Sequence, residues 1–483
     1  MTWQGKLEKI DDYRWQIPKD RSSGMRVPGV LYADESLLET IRQDKSLGQV
    51  VNVASLPGIV DYSLAMPDIH WGYGFCIGGV AATDVENNGV VSPGGIGYDI
   101  LCGLRLIRTD LEKKDLNNRI KDLVYALYNR IPAGVGSEGK IRVSASEEKR
   151  ILVDGAGWAV KKGFGIKEDL EFTEENGAMD GADPVDVSER AFERGKKQSG
   201  TLGSGNHFIE VQEVDEIYDQ EKANVFGVHK GQITVMIHSG SRGFGYQVCD
   251  DFSKSMIKSL GKYGISVPDR QLACAPVKSP EGRAYVRAMK CAANYAWNNR
   301  QCLMHLTREV FEKFFNRSFQ DLGMFLVYDV AHNIGKFEKY NVDGKDRLLF
   351  VHRKGATRAL PPGHNDLPDK YKSTGQPVII PGDMGNCSYL LAGTEKARET
   401  FYSTCHGAGR VLSRKAAINA CRGRSISKEL AEKGITVMAS GRGTLAEEAP
   451  EAYKDVSQVV NIVHNAGIST RVCRMRPLGV VKG

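Results

Sequence analysis

Residues 92–105 read SPGGIGYDILCGLR. The stretch sets an acid, Asp99, and a thiol, Cys102, three residues apart among glycines and aliphatic side chains, between the strand-like runs GVV and GLRLIRTDL. The same grammar recurs along the chain. QITVMIHSGSRG alternates like a half-buried strand and delivers His238 at its end. MFLVYDVAHN runs apolar and then presents Asp329, His332 and Asn333, while GTLGSGNHFIEVQEV places His207 after a glycine turn at a strand start. Polar residues that repeatedly stand at strand ends beside glycine turns predict one shared site at one rim of a sheet.

The rest of the sequence sets bounds on that site. Of 483 residues, 41% are hydrophobic and 26% charged, ordinary for a soluble globular protein with a substantial core. Strand-like and helix-like patterns alternate from end to end without repeats, low-complexity tracts or Pro/Ser-rich linkers. The expectation is therefore an α+β fold, one large mixed domain over residues 1–483. No apolar run reaches the roughly 20 residues of a membrane span, and the N-terminus lacks a signal-peptide core, so a cytoplasmic location is expected. Ten cysteines without a C-x-x-C pair argue against disulfides and zinc ribbons. The net charge of +6 permits a polyanionic partner without requiring one.

Two further elements are legible. Ser279, Pro280 and Glu281 suit the N-cap and first turn of a helix that continues to about Phe315. Residues 165–200 are polar and sparsely apolar, which reads as a solvated surface excursion or a lid.

Asp99, Cys102, His207, His238 and His332 are all competent ligands for a divalent transition metal, and a thiolate among them can bridge two ions. Each also has a plainer reading: a hydrogen-bonded histidine, a turn-capping aspartate, a core cysteine. Spacing alone leaves both readings open, because the five are scattered over more than two hundred residues.

Longer strings narrow the choice. PDIHWGYGFCIGG (67–79), SPGGIGYDILCG (92–103), LGSGNHFIE (202–210), HSGSRGFG (238–245), DVAHNI (329–334), VHRKGATRA (351–359) and TCHGAGR (404–410) resemble the RtcB family of RNA-splicing ligases, in family order and over essentially the whole chain. The resemblance implies a fold of RtcB type with a buried dinuclear metal site at strand ends. It implies joining of an RNA 3′-phosphate or 2′,3′-cyclic phosphate to a 5′-hydroxyl, with GTP as cosubstrate and two Mn²⁺ ions. Asp99, Cys102, His207, His238 and His332 are the implied metal ligands. His406 is the implied nucleophile that carries GMP, and Asp68 matches the family's acidic position. Asp68 has an alternative as a turn cap after Pro67. Affinity alone would favour zinc or copper over manganese at such a donor set, so manganese comes from the resemblance.

The resemblance also places a nucleotide site at Asn206, His207, Phe208, Ile209, Glu210, His332, Asn333, Pro381, Gly382, Asp383, Met384, Ser388, His406, Gly407, Ala408, Gly409 and Lys482. Guanine needs an acceptor opposite N1–H and its 2-amino group, and a donor opposite O6. Glu210 offers the first and Lys482 the second. Asp383 departs from the serine or threonine common in relatives, which puts that contact in question.

RNA is the expected partner, as transfer-RNA halves or other cleaved RNA, and the family resemblance adds the activator archease. Residues 397–428 carry seven basic side chains against one acid, Glu399. Arg242, Lys354, Arg410 and Arg414 are the candidate phosphate contacts. Two rival readings are a dinuclear metal phosphoesterase that uses no nucleotide and a non-catalytic RNA-binding protein with a structural metal.

Overall fold

Period-two alternation builds the central sheet of the computed structural model, which describes residues 3–134 and 136–483. Its strands are β1 (Gly103–Glu112), β2 (Phe208–Ile217), β3 (Gln232–Ser239), β4 (Phe325–Ala331), β5 (Pro377–Ile380), β6 (Ser388–Gly393), β7 (Thr436–Ala439) and β8 (Ser469–Lys482). They lie in the order β4–β1–β3–β2–β8–β6–β5 with antiparallel neighbours, and β7 pairs with β8 in parallel.

Alternation sends the two sets of side chains to different cores. Ile209, Val211, Ile233, Val235 and Ile237 pack with Leu123, Val124 and Leu127 of the helix Ile120–Arg130 and with Leu303 and Leu306 of the helix Pro280–Phe315. Phe208 and Met236 belong to a different cluster with Leu104, Val330 and Val480. Glu210 and His238 share that second parity.

The expected long helix runs unbroken over Pro280–Phe315, and the Ser279 side chain caps it by accepting the Gly282 N–H. Its middle is buried on all sides, from Cys291 to Met304. Polar groups there are tolerated because they are paired. Asn299 accepts the backbone N–H groups of Gly200 and Thr201, and donates to the Thr201 and Gly240 carbonyls.

A second sheet orders seven strands as Glu8–Lys9, Arg14–Ile17, Gly29–Tyr32, Ile59–His70, Ile77–Asp84, Lys345–Lys354 and Asn333–Val342. It shares a core with Val378 and Ile380 of β5 and with the helix Val456–Asn465. The chain leaves β4 at Ala331 and enters this sheet at Asn333, so His332 sits on the seam between the sheets.

The polar segment 165–200 keeps most of its charges exposed, as its composition suggests, but buries two of its acids. Asp169 is buried against Arg308, with oxygens 2.7 and 2.8 Å from the guanidinium, and accepts from Gln301 at 2.9 Å. Glu174 is buried and pairs with Lys336, and Phe172 accepts the backbone N–H of Asp329. These two acids partner the buried cations Arg308 and Lys336, while most of the segment's other charges are exposed. No residue of the segment lines the large cavity described next.

Candidate active site

Four strand ends converge because four neighbouring strands alternate in direction. Cys102 precedes β1, His207 precedes β2, His238 is the penultimate residue of β3 and His332 follows β4. In the ladder, Gly103 faces both Ala331 and Ser239, while His238 faces both Leu104 and Phe208. All four side chains therefore meet at one rim, and all are buried. Asp99 joins them from the glycine-rich turn, with Gly240 packed so closely that a Cβ there would lie 2.3 Å from Asp99 Oδ1.

Two groups of three ligand atoms result, Asp99–Cys102–His207 and Cys102–His238–His332, with Cys102 common to both. Cys102 Sγ lies 3.4 Å from His207 Nε2 and 3.2 Å from His238 Nε2, and Asp99 Oδ2 lies 2.9 Å from His207 Nε2. His207 Nδ1 faces the Leu202 carbonyl at 3.0 Å, which assigns its proton to Nδ1 and leaves Nε2 a lone pair. Carboxylate oxygen and imidazole nitrogen then face each other as two acceptors beside the Cys102 sulfur. A cation shared among them resolves that conflict.

The electrostatics agree with that fit. Burial pushes the Cys102 thiol well above its ordinary range and the Asp99 charge adds to this, so without a cation the sulfur keeps its proton. Burial also pushes His238 and His332 well below the usual imidazole range, leaving both neutral, and each has a buried Nδ1 without a hydrogen-bond partner. Burial opposes ionisation of Asp99, but the contact with His207 and the Arg242 charge outweigh it and bring it to about 2. The donor set of one thiol, one carboxylate and three imidazoles suits a divalent transition ion at each group.

Beside the cluster opens a cavity of about 360 Å³. His406 lines it, with its ring centroid 5.0 Å from that of His332. The TCHGAGR loop is tied to strand Ile59–His70 by Asp68, whose Oδ2 accepts the N–H groups of His406 at 2.9 Å and Gly407 at 3.3 Å and lies 2.5 Å from His406 Nδ1. Burial alone would raise Asp68, but the charge and hydrogen bonds of His406 hold it below the ordinary carboxylate range. Gly409 completes the approach. Its φ is +74°, and a Cβ would lie 2.2 Å from the Asp68 carbonyl oxygen.

Glu210 and Lys482 line the same cavity, brought together by the pairing of β2 with β8. Burial pushes Glu210 up to about 8 and lowers Lys482. Asn206, Phe208, Asn333, Pro381–Met384 and Gly407–Gly409 are also in the lining. Ile209 and Ser388 fall outside the lining, and Asp383 reaches it with its carboxylate already occupied. Ile209 has the opposite parity on β2 and packs in the helix-side core. Ser388 sits behind the turn, its hydroxyl accepting the Gly382 N–H at 3.2 Å. Asp383 reaches the cavity, but its carboxylate accepts from Gly385 N–H and Asn386 Nδ2 and so braces its own turn.

A model of the family described as tRNA-splicing ligase RtcB matches residues 49–483. The chain belongs to the RtcB family. It is 55% identical over 484 residues to the tRNA-splicing ligase RtcB of Archaeoglobus fulgidus, covering 100% of both chains. The proteins of the same name from Thermococcus kodakarensis and Methanococcus maripaludis are 54% and 53% identical, with 99% of each chain covered.

Within this RtcB-family site, the basic candidates divide. Arg414 lines the cavity with its side chain 61% exposed, paired only at 4.0 and 3.8 Å with Glu447 and Glu448. Arg242 adopts a φ of +56° and reaches back toward Thr201 and His207. Lys354 also lines the cavity, but its ammonium donates to the carbonyls of Tyr73, Phe75 and Gly94, and burial lowers it to about 8. Arg410 is held by Glu448, Tyr453 and the Glu447 and Leu412 carbonyls.

The sequence reading missed the supports beneath the rim. Arg300 binds Asp329 through two nitrogens at 2.9 and 2.7 Å and donates to the carbonyls of Leu101 and Ser239, one beside each of two candidate ligands. Arg105 completes the triad at 2.6 Å from Asp329. Leu101 is held at a φ of +54°, a conformation the surrounding contacts impose. Glu448 was missed as well; it is buried on the cavity lining 3.7 Å from Lys482. An arginine inside a helical pattern or one glutamate of an acidic pair carries no local signal of such a role.

Proposed function

We propose that this chain is a GTP-dependent RNA ligase that joins RNA 2′,3′-cyclic phosphate or 3′-phosphate ends to 5′-hydroxyl ends, as in tRNA splicing. The observation that carries the reading is that His406, the candidate ligands Asp99, Cys102, His238 and His332, and the residues Glu210 and Lys482 all line one cavity. A phosphoesterase needs the metal cluster but has no use for a guanine-sized acceptor and donor beside a loop histidine.

The chain's residues act in order. Asp68 holds the Nδ1 proton of His406 and leaves Nε2 as the nucleophile, the arrangement that orients imidazole in other triads. Nε2 attacks the α-phosphorus of GTP, a P–N bond forms, and the bond to pyrophosphate breaks. Asp68 stabilises the positive charge that develops on the ring. Glu210 accepts from guanine N1–H and the 2-amino group, and Lys482 donates to O6. A cyclic phosphate is first opened by water, which breaks the P–O2′ bond; an oxygen of the RNA 3′-phosphate then displaces His406 from phosphorus, making an RNA–ppG end. The 5′-hydroxyl attacks that 3′-phosphate and GMP leaves. When bound at the two ligand groups, Mn²⁺ ions would supply positive charge to each displacement at phosphorus.

The test is covalent labelling with α-labelled GTP or ATP and Mn²⁺, for wild type and His406→Ala. A GTP-dependent adduct that is lost in acid, kept in alkali and absent from the variant supports the reading. A folded protein that takes no label while it opens cyclic phosphates would overturn it in favour of the hydrolase.

A further inference from the structure

The nucleotide reading leaves part of the cavity lining without a task. His70, Tyr73, Gly97 and Tyr98 line it together with the residues already assigned. From this region a row of rings runs outward. Tyr73 meets Tyr98 edge to face with centroids 5.1 Å apart, and Tyr98 stacks on Tyr246 at 4.7 Å and 26°. The Arg194 guanidinium lies over the Tyr246 ring at 4.6 Å. Tyr246 is 44% exposed. Trp71 stands between the cavity-lining His70 and Tyr73 and is 59% exposed, whereas the other four tryptophans are buried or half-buried.

Exposed large rings next to cavity-lining residues forgo burial that a core position would give them, which marks a surface kept for a ligand. Tyrosine, tryptophan and the arginine plane share one capacity: they stack on nucleobases of any identity. A base inside a duplex has both faces covered, so such a row selects unpaired bases. Continuity with the cavity supplies the direction, since the phosphate end of the same strand would enter it past exposed Arg414.

We infer that the outer, Arg194 end of the Tyr98–Tyr246–Arg194 stack and Trp71 seat the unpaired terminal bases of an RNA strand whose end lies in the cavity, so that the protein discriminates single-stranded from blunt ends. The inference rests on the ligase reading for its choice of RNA, and it is measured by binding rather than by ligation.

The experiment uses the full chain with Mn²⁺ and two RNAs of equal length bearing 5′-hydroxyl and cyclic-phosphate termini, one single-stranded and one a blunt hairpin. The single strand is expected to quench the exposed tryptophan emission, the hairpin to do so far less, and Trp71→Phe to remove the signal. Trp71→Ala combined with Tyr246→Ala should weaken single-strand binding by about tenfold or more, as loss of base stacking does. Because stacking releases no counterions, the slope of affinity against salt should stay the same while the whole line shifts. Trp71→Phe with Tyr246→Phe keeps the rings and should restore affinity; if it does not, the loss reflects distortion and the inference fails. Equal affinity of wild type and the double alanine variant, or a slope change with no shift, overturns it. GTP labelling of the wild type tests the ligase reading separately, so a labelled protein that ignores single-strandedness would sink this inference alone.

Discussion

Asp68 Oδ2 stands 2.5 Å from His406 Nδ1 while accepting the backbone N–H of that same residue at 2.9 Å. One carboxylate oxygen thus fixes the position of the loop and sets a negative charge against the ring of its histidine. Asp68→Asn keeps the volume and removes the charge. The rate of GMP transfer to His406 is expected to fall on the order of 100-fold or more, by analogy with removing the orienting acid of a triad. GTP affinity should change little. Rapid-quench labelling measures both, and an unchanged rate would confine Asp68 to a turn-capping role.

Cys102 belongs to both ligand groups, whereas His207 and His332 each belong to one. Removing them should therefore have unequal consequences for Mn²⁺ stoichiometry. Cys102→Ala is expected to weaken both ions, and His207→Ala only one. Calorimetric titration of metal-free protein distinguishes these cases. Two independent losses for the two variants would contradict a shared thiolate.

Burial raises Glu210 to about 8, so the free protein holds a proton there at neutral pH. Accepting from guanine requires the carboxylate, and binding must release that proton. GMP affinity is expected to rise with pH toward 8, by up to about tenfold per unit below it, and calorimetry in buffers of different ionisation heat should register proton release. Stability moves the other way. The folded state keeps a proton that the unfolded chain loses above 4.5, so the wild type loses stability between about 4.5 and 8, and Glu210→Gln removes that loss. A GMP affinity independent of pH over this window would exclude Glu210 as the guanine acceptor.

The Arg105–Asp329–Arg300 triad is buried, with both ion pairs fully enclosed. Asp329→Asn leaves two guanidinium groups without a counter-charge and is expected to cost about 3–5 kcal/mol. Burial alone would raise Asp329, but the two arginines hold its carboxyl below the ordinary range. A depressed carboxyl contributes stability that is present above its unfolded pKa and lost as pH falls through the folded one. The wild-type advantage over Asp329→Asn should accordingly shrink in acid. Denaturant titrations at neutral and acidic pH test this, and a constant difference would mean that the charge is not the source.

Local sequence determined the strands and their facing. Alternation in QITVMIHS puts His238 on the same side as Met236, and that in HFIEVQEV separates Phe208 and Glu210 from Ile209; burial enforces both because each face of the central sheet has its own core. The cap at Ser279 is equally local, one hydroxyl meeting one helix N–H. The identity of the candidate ligands and of His406 was also readable, since thiol, imidazole and carboxylate chemistry belongs to the residue itself.

Tertiary structure alone decided which of them meet. The order β4–β1–β3–β2 brings together strand ends more than two hundred residues apart in sequence, and hydrogen-bond register carries no mark in any one strand. It also decided that Lys354 and Arg410 spend their donors on carbonyls and Glu448, and that residues 165–200 supply buried charges to Arg308 and Lys336. A charged side chain reads the same in a sequence whether it faces water or a buried partner. Only the fold supplies the partner.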